Sequence, residues 1–213
     1  MFEEFYGKLE SLAIVPVVVL ERVEDAAPLA HALMEAGMPS AEVTFRTPCA
    51  ADCIRAISLA EPQMCVGAGT VLNTAQLDEA LEAGAQFIVS PGFNEGVVRS
   101  CIERNAPVMP GTVSPTEVTA AVELGLSVTK FFPAAQYGGL TTIEALAAPF
   151  VGHRFMPTGG VSTSNVAEYL SSPSVIACGG TWMVKPELFA NGDFSQVAEI
   201  GVEAMRLARE ARA

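Results

Sequence analysis

Lysine is the scarcest charged residue in this 213-residue chain: Lys8, Lys130 and Lys185 are the full set. Basic side chains number 12 against 24 acidic ones, for a net charge of −12. That balance disfavours nucleic acid and anionic membranes as partners, and it means that an anionic ligand must be held by local groups. Histidine is nearly absent, with His31 in an alanine-rich helical run and His153 in a loop. No His/Asp/Glu cluster has metal-ligand spacing, so no metal site is expected, and Ser-His-Asp chemistry is poorly provided for. The five cysteines form no Cys-x-x-Cys, which argues against a disulfide framework or a zinc ribbon and for a reducing cytoplasm. Cys49 and Cys53 are one helical turn apart and read as two small residues on a helix face. No segment reaches the ~18 unbroken apolar residues of a membrane span. The first ten residues carry Glu3, Glu4 and Glu10 and lack the basic-then-apolar pattern of a secretory signal.

What is present is a hydrophobic chain, 50 % apolar, without a linker or a break in composition, so residues 1–213 read as one domain. Glu3 to Leu12 has the pattern of a short amphipathic helix. Ala13 to Leu20 is a near-continuous apolar run, the mark of a strand buried on both faces. Further strand-like runs fall at 41–45, 64–67, 87–89, 107–109, 128–132, 154–156 and 175–177. A helix-like run follows each strand, at 24–37, 50–60, 75–83, 95–104, 115–124, 140–147, 164–170 and 194–211. Gly84, Asn105 and Gly125 sit just past three of these helices, where a left-handed cap belongs. Eight β-then-α units at roughly 20–25 residues each predict a (β/α)₈ TIM barrel, with the extra N-terminal helix laid across its bottom. A doubly wound sheet is the alternative, but no Gly-rich dinucleotide turn follows the first strand.

In such barrels the functional residues sit at the C-terminal strand ends. Those positions hold Glu42, Thr44 and Arg46 on the second strand and Gly67-Ala68-Gly69-Thr70 on the third. Ser90-Pro91-Gly92 and Pro110-Gly111-Thr112 end the next two. Thr158-Gly159-Gly160 and Gly179-Gly180-Thr181 end the last two. So much glycine, threonine and proline predicts close approach of backbone to something small. The two Gly-Gly turns lie where these barrels build phosphate sites, and backbone N–H groups can hold a phosphate without a cation; the pair at this spacing favours a phosphate site, with two tight turns as the alternative.

The sixth strand carries Lys130. Alternation puts Val128, Lys130 and Phe132 on one face and Thr129 and Phe131 on the other. A lysine among apolar side chains is biased towards the neutral amine, the form that attacks a ketone to give a Schiff base. The competing reading is a sheet-edge lysine with its stem packed and its ammonium in water. Glu42 is the candidate proton carrier and Arg46 can grip a carboxylate; a structural Glu42–Arg46 ion pair is the alternative.

With these residues placed, the chain closely resembles the bifunctional 2-keto-3-deoxy-6-phosphogluconate (KDPG) / 4-hydroxy-2-oxoglutarate (KHG) aldolase family. The likeness rests on Glu-Val-Thr-Phe-Arg-Thr at 42–47, Val-Gly-Ala-Gly-Thr-Val-Leu at 66–72 and Ile-Val-Ser-Pro-Gly at 88–92. It continues in Lys-Phe-Phe-Pro-Ala at 130–134, Pro-Thr-Gly-Gly-Val at 157–161 and Gly-Gly-Thr-Trp at 179–182. The resemblance implies a metal-independent, cofactor-free class I aldolase, a homotrimer of barrels. It would cleave KDPG to pyruvate and glyceraldehyde 3-phosphate, in the Entner–Doudoroff route, and KHG to pyruvate and glyoxylate. It also implies that Lys130 forms the Schiff base, Glu42 is the acid/base, and Arg46 and Thr70 hold the pyruvate carboxylate. Pro91 and Phe132 would wall the methyl group and Thr158 would face C4. Gly159, Gly160, Gly179, Gly180 and Thr181 would take the phosphate, Thr181 standing where the family often has serine. A phosphosugar isomerase or epimerase on the same barrel, or a non-catalytic phospho-ligand sensor, is the rival reading, and fold alone does not separate them.

Overall fold

A computed structural model describes all 213 residues. Its strands are β1 (Ile14–Val18), β2 (Ser40–Thr44), β3 (Cys65–Gly69), β4 (Ile88–Val89), β5 (Val108–Met109), β6 (Gly111–Thr112), β7 (Val128–Phe131), β8 (Arg154–Pro157) and β9 (Cys178–Gly180). The helices are α1 (Glu3–Leu12), α2 (Ala26–Glu35), α3 (Ala50–Ala60), α4 (Thr74–Glu82), α5 (Glu95–Glu103), α6 (Pro115–Glu123), α7 (Gly139–Ala147), α8 (Val166–Leu170) and α9 (Ser195–Ala211). All strand pairs are parallel, running β5-β4-β3-β2-β1-β9 and β6-β7-β8. Bridges Phe155–Val175 and Thr158–Gly179 join β8 to β9 and close the ring. β5 and β6 fill one barrel position, interrupted by Pro110, which has no N–H for the ladder; its carbonyl still accepts from Lys130 N at 3.0 Å. The barrel is therefore eight positions round, as the alternation predicts.

The last strand departs from expectation. It lies at Cys178–Gly180 rather than at 175–177. Among the strands, the backbone of Val175 and Ile176 pairs only with β8, through the Phe155 bridge and Ile176 N to Phe155 O at 3.0 Å. Pairing with β1 begins where Cys178 N reaches Ala13 O at 2.8 Å. An apolar run thus starts before its second neighbour does, and composition cannot mark that point.

Helix ends follow local chemistry. Asn73, Asn94 and Ser114 accept from Gln76 N, Val97 N and Glu117 N, and Ser114 with Glu117 forms a full capping box. At the other ends Gly84 and Asn105 take left-handed φ values of 97° and 53°, the cap conformation that glycine and asparagine tolerate. Alternation then sorts the strand residues into two cores. Outward side chains such as Phe131, Phe155 and Cys178 pack under the helices. Inward ones, among them Val15, Phe87, Met109, Val128 and Met156, meet Tyr6, Leu9 and Leu12 of α1. Helix α1 thus plugs the bottom of the barrel, with Phe5 5.3 Å from Phe87 between ring centroids. Each buried large side chain contributes about 1.5–3 kcal/mol.

His153 was expected in a loop, and it is, but the side chain is buried. Its Nε2 lies 2.9 Å from Thr129 Oγ1, which is 2.8 Å from Thr112 Oγ1. Burial lowers its pKa to about 4, against about 6.5 in an unfolded chain. Between those values the unfolded state binds the extra proton, so stability is complete above about pH 6.5 and falls as pH drops towards 4. At ~1.36 kcal/mol per pH unit this amounts to about 3 kcal/mol. Urea unfolding from pH 7 to 4.5 should show that loss in the wild type and a clearly shallower pH dependence in His153→Gln; equal slopes would contradict it.

Candidate active site

Lys130 and Glu42 come from strands on opposite sides of the ring. Glu42 on β2 is in register with Val17 and Gly67, and Lys130 on β7 with Gly111 and Met156. With both side chains turned inward they meet across the barrel, Nζ donating to Oε1 at 3.2 Å. Their side chains are 4 % and 0 % exposed. The ammonium is therefore not in water, and the sheet-edge reading fails. Phe132 stands under the amine, its ring centroid 5.2 Å from Nζ. Thr129 and Phe131 point outward, to His153 and the helix-side core, as strand alternation requires. Two buried charges are tolerable only together, so this contact fixes both side chains. Glu42 Oε2 and Thr158 Oγ1 are buried without a hydrogen-bond partner. Such orphan atoms are unusual in a packed interior and leave acceptor capacity at the barrel mouth.

The Glu42–Arg46 ion pair does not form. Strand β2 ends at Thr44, and Arg46 lies exposed in the following turn. Arg46 Nε donates instead to Thr70 Oγ1 at 3.2 Å, and the guanidinium is in no ion pair with the chain's own carboxylates. Thr70 has φ 57°, an outlier for a β-branched residue. The flanking ladder bonds, Phe45 N to Gly69 O at 2.8 Å and Val71 N to Val89 O at 3.2 Å, hold it there. Arg46 and Thr70 thus present a guanidinium and a hydroxyl together at the mouth.

Pro91 and Phe132 line one cleft of about 270 Å³ with Gly111, Thr112, Glu117 and Tyr137. A larger hollow of about 470 Å³, beside Glu3, Lys8, Gln86 and Asn105, lies at the opposite end of the barrel. At the last two strand ends, Thr158 bridges Gly179, and Gly159 and Gly160 have φ 93° and 83°. Thr181 is exposed beyond them. One residue in this region escaped the sequence reading. Asn165 donates from Nδ2 to Gly160 O at 2.9 Å and accepts from Ser162 N at 2.8 Å, so it fixes the glycine turn. Its signal was an asparagine shortly after Gly-Gly, a residue prone to local backbone bonds.

The glycines do not all mean what was expected of them. A Cβ on Gly69 would lie 2.1 Å from Glu42 Oε1, one on Gly180 1.8 Å from the Trp182 ring, and one on Gly111 2.1 Å from Pro91 O. What comes close at these strand ends is the protein itself. Gly69 in particular makes the space in which the Glu42 carboxylate reaches the lysine. Gly69→Ala should therefore cost about 1–3 kcal/mol of stability by overpacking. It should also displace Glu42, lowering turnover far beyond what the stability loss explains; unchanged kcat in folded protein would refute this role.

Comparison with known proteins places this arrangement. The sequence profile of the KDPG and KHG aldolase family matches residues 6–200. The chain is 50 % identical over 202 residues to the 2-dehydro-3-deoxy-phosphogluconate aldolase of Treponema pallidum, covering 95 % of this chain and 96 % of that one. It is 43 % identical over 196 residues to the KHG/KDPG aldolase of Escherichia coli, covering 92 % of each. A KDPG aldolase from Legionella pneumophila, solved with pyruvate captured as a covalent carbinolamine, superposes with a TM-score of 0.90 at 34 % identity over 93 % of this chain and 97 % of that one. The Zymomonas mobilis enzyme, solved with 3-phosphoglycerate, superposes with a TM-score of 0.88 at 38 % identity over 96 % and 95 %. A barrel with a lysine and a carboxylate paired across its mouth, and these relatives along nearly its whole length, make the chain a member of the KDPG and KHG aldolase family.

Proposed function

We propose that this protein is a class I aldolase that cleaves KDPG to pyruvate and glyceraldehyde 3-phosphate and KHG to pyruvate and glyoxylate. The observation that carries the reading is the 3.2 Å contact between Lys130 Nζ and Glu42 Oε1 in a buried site. Lys130 passes a proton to Glu42 along this contact and, as the free amine, attacks the C2 ketone to give a carbinolamine. Glu42 returns the proton to the departing hydroxyl, which leaves as water, and the iminium forms. Glu42 then takes the C4 hydroxyl proton as the C3–C4 bond breaks. The bonding pair flows into the iminium, the aldehyde departs, and protonation of the enamine at C3 followed by hydrolysis releases pyruvate. The carbinolamine of the Legionella relative supports the first step.

Arg46 and Thr70 hold the pyruvyl carboxylate, Pro91 and Phe132 wall its methyl, and Thr158 faces C4. Gly159, Gly160, Gly179, Gly180 and Thr181 take the phosphate, in keeping with the phosphorylated ligand of the Zymomonas relative. The iminium is the electron sink, so the scheme calls for no metal or cofactor. Residues 1–213 act as one catalytic domain in the cytoplasm, and Val151 and Leu59, 95 % and 82 % exposed, add apolar surface in keeping with a homotrimer.

Borohydride with pyruvate should label Lys130, and Lys130→Arg should lose both labelling and turnover, because a guanidinium stays protonated. Label on Lys8 or Lys185 would defeat the assignment. Neutral donors each contribute about 0.5–1.5 kcal/mol, more towards a charged acceptor. Thr181→Ala should therefore lower kcat/KM on KDPG several-fold and leave KHG nearly unaffected; equal losses on both would move the phosphate site elsewhere.

A further inference from the structure

Cys49 and Cys53 stand one helical turn apart, and the reaction proposed above uses neither. Their sulfurs are 3.8 Å apart. Cys49 is half-buried at the N-cap of α3, with φ −89° and ψ 7° and no capping bond from its side chain, while Cys53 is fully buried. Both thiols brace the loop after β1: Cys49 Sγ donates to Leu20 O at 3.3 Å, and Cys53 Sγ lies 3.9 Å from Arg22 O. Thr47 Oγ1 is 3.6 Å from Cys49 Sγ, and Arg46 immediately precedes Thr47.

The geometry points to a redox-sensitive dithiol: a hydroperoxide joins Cys49 to Cys53, and the resulting disulfide displaces Arg46 and weakens the grip on the substrate carboxylate. The last clause rests on the role proposed for Arg46. A disulfide holds its sulfurs at ~2.05 Å and its Cβ atoms about 3.5–4.5 Å apart, whereas Cβ atoms one helical turn apart stand about 5–6 Å apart. Closing that distance means opening the first turn of α3, now closed by Cys53 N to Cys49 O at 2.9 Å. A helix N-terminus is where that change is easiest, because its first N–H groups have no intrahelical partners. The same bond removes both S–H donors from the loop carbonyls of Leu20 and Arg22, so the ends of β1 and β2 loosen together.

The chemistry balances with a hydroperoxide as oxidant. The Cys49 thiolate attacks the peroxide, the O–O bond breaks, and a sulfenic acid and water (or an alcohol) result. The Cys53 sulfur then attacks the Cys49 sulfur, the S–O bond breaks, and the hydroxyl leaves as water with the Cys53 proton. Two thiols lose two electrons and two protons in all. The order follows burial: Cys49 is half-buried and Cys53 fully buried, and burial and the neighbouring Cys49 push the Cys53 thiol well above its usual pKa. A strained disulfide is readily reduced, so the change reverses.

The test treats the whole protein with hydrogen peroxide. Expected are a 49–53 linked peptide about 2 Da lighter than its two reduced thiols account for, faster amide exchange over residues 46–53, and a several-fold rise in KM with kcat little changed. Dithiothreitol should reverse all three, and Cys53→Ser should show none of them reversibly. Loss of thiols without a 49–53 link, or a link with unchanged exchange and KM, overturns the proposal. Linkage and exchange are read without substrate. Absence of aldol cleavage in the reduced enzyme would therefore count against the proposed function, and a missing link against the dithiol.

Discussion

A buried ammonium and a buried carboxylate hold each other in place at the centre of this molecule. Removing either partner from such a pair leaves an uncompensated charge and costs about 3–5 kcal/mol. Much of the architecture can be read as what that contact demands. The two groups must come from opposite sides of a closed ring, which β2 and β7 provide. The carboxylate needs the space that Gly69 leaves. The bottom of the barrel must be dry, and α1 closes it with Tyr6, Leu9 and Leu12. What remains open is the C-terminal end, where polar groups with spare bonding capacity collect.

The two ends of the proposed substrate would be handled by different physics. The surface carries a net charge of −12, so long-range fields repel the ligand and recognition is local. At the pyruvyl end Arg46 is kept free of ion pairs and braced on Thr70, whose strained backbone aims the hydroxyl. At the far end there is no cation among the proposed residues. The turn must therefore be ordered for its N–H groups to converge, and Asn165 supplies that order from behind.

Strand alternation foretold which side of β7 each residue faces, and the structure places Lys130 with Phe132 and Thr129 with His153 accordingly. Helix stops were equally local: Gly84, Asn105 and Gly125 all have positive φ. What depends on distant parts of the chain was not legible. Chemistry named Glu42 as the proton carrier for Lys130, but alternation alone left an ion pair with nearby Arg46 open, because the direct contact with Lys130 spans 88 residues. The shift of the last strand depends on where β1 begins. Burial of His153 depends on Thr129 and Phe155, with which it packs edge-on at 4.9 Å. The close approaches at Gly69 and Gly180 were not legible, because the bulky groups they admit, Glu42 and Trp182, are brought there only by folding.

The pair also constrains the proposed reaction. When Lys130 becomes an imine it loses the fixed charge that makes burial of Glu42 tolerable, unless the imine nitrogen is itself protonated. The buried carboxylate therefore favours the iminium over the neutral imine, because an opposite charge within hydrogen-bond reach favours the charged form. The iminium is also the stronger electron sink for C3–C4 cleavage. After cleavage the enamine nitrogen is neutral, and a Glu42 that has just taken the C4 hydroxyl proton is neutral with it, so no charge is left stranded. Protonation at C3 regenerates iminium and carboxylate together. A single carboxylate paired with a single amine keeps the count of buried charges in the pair at either two or none through every step of the proposed scheme.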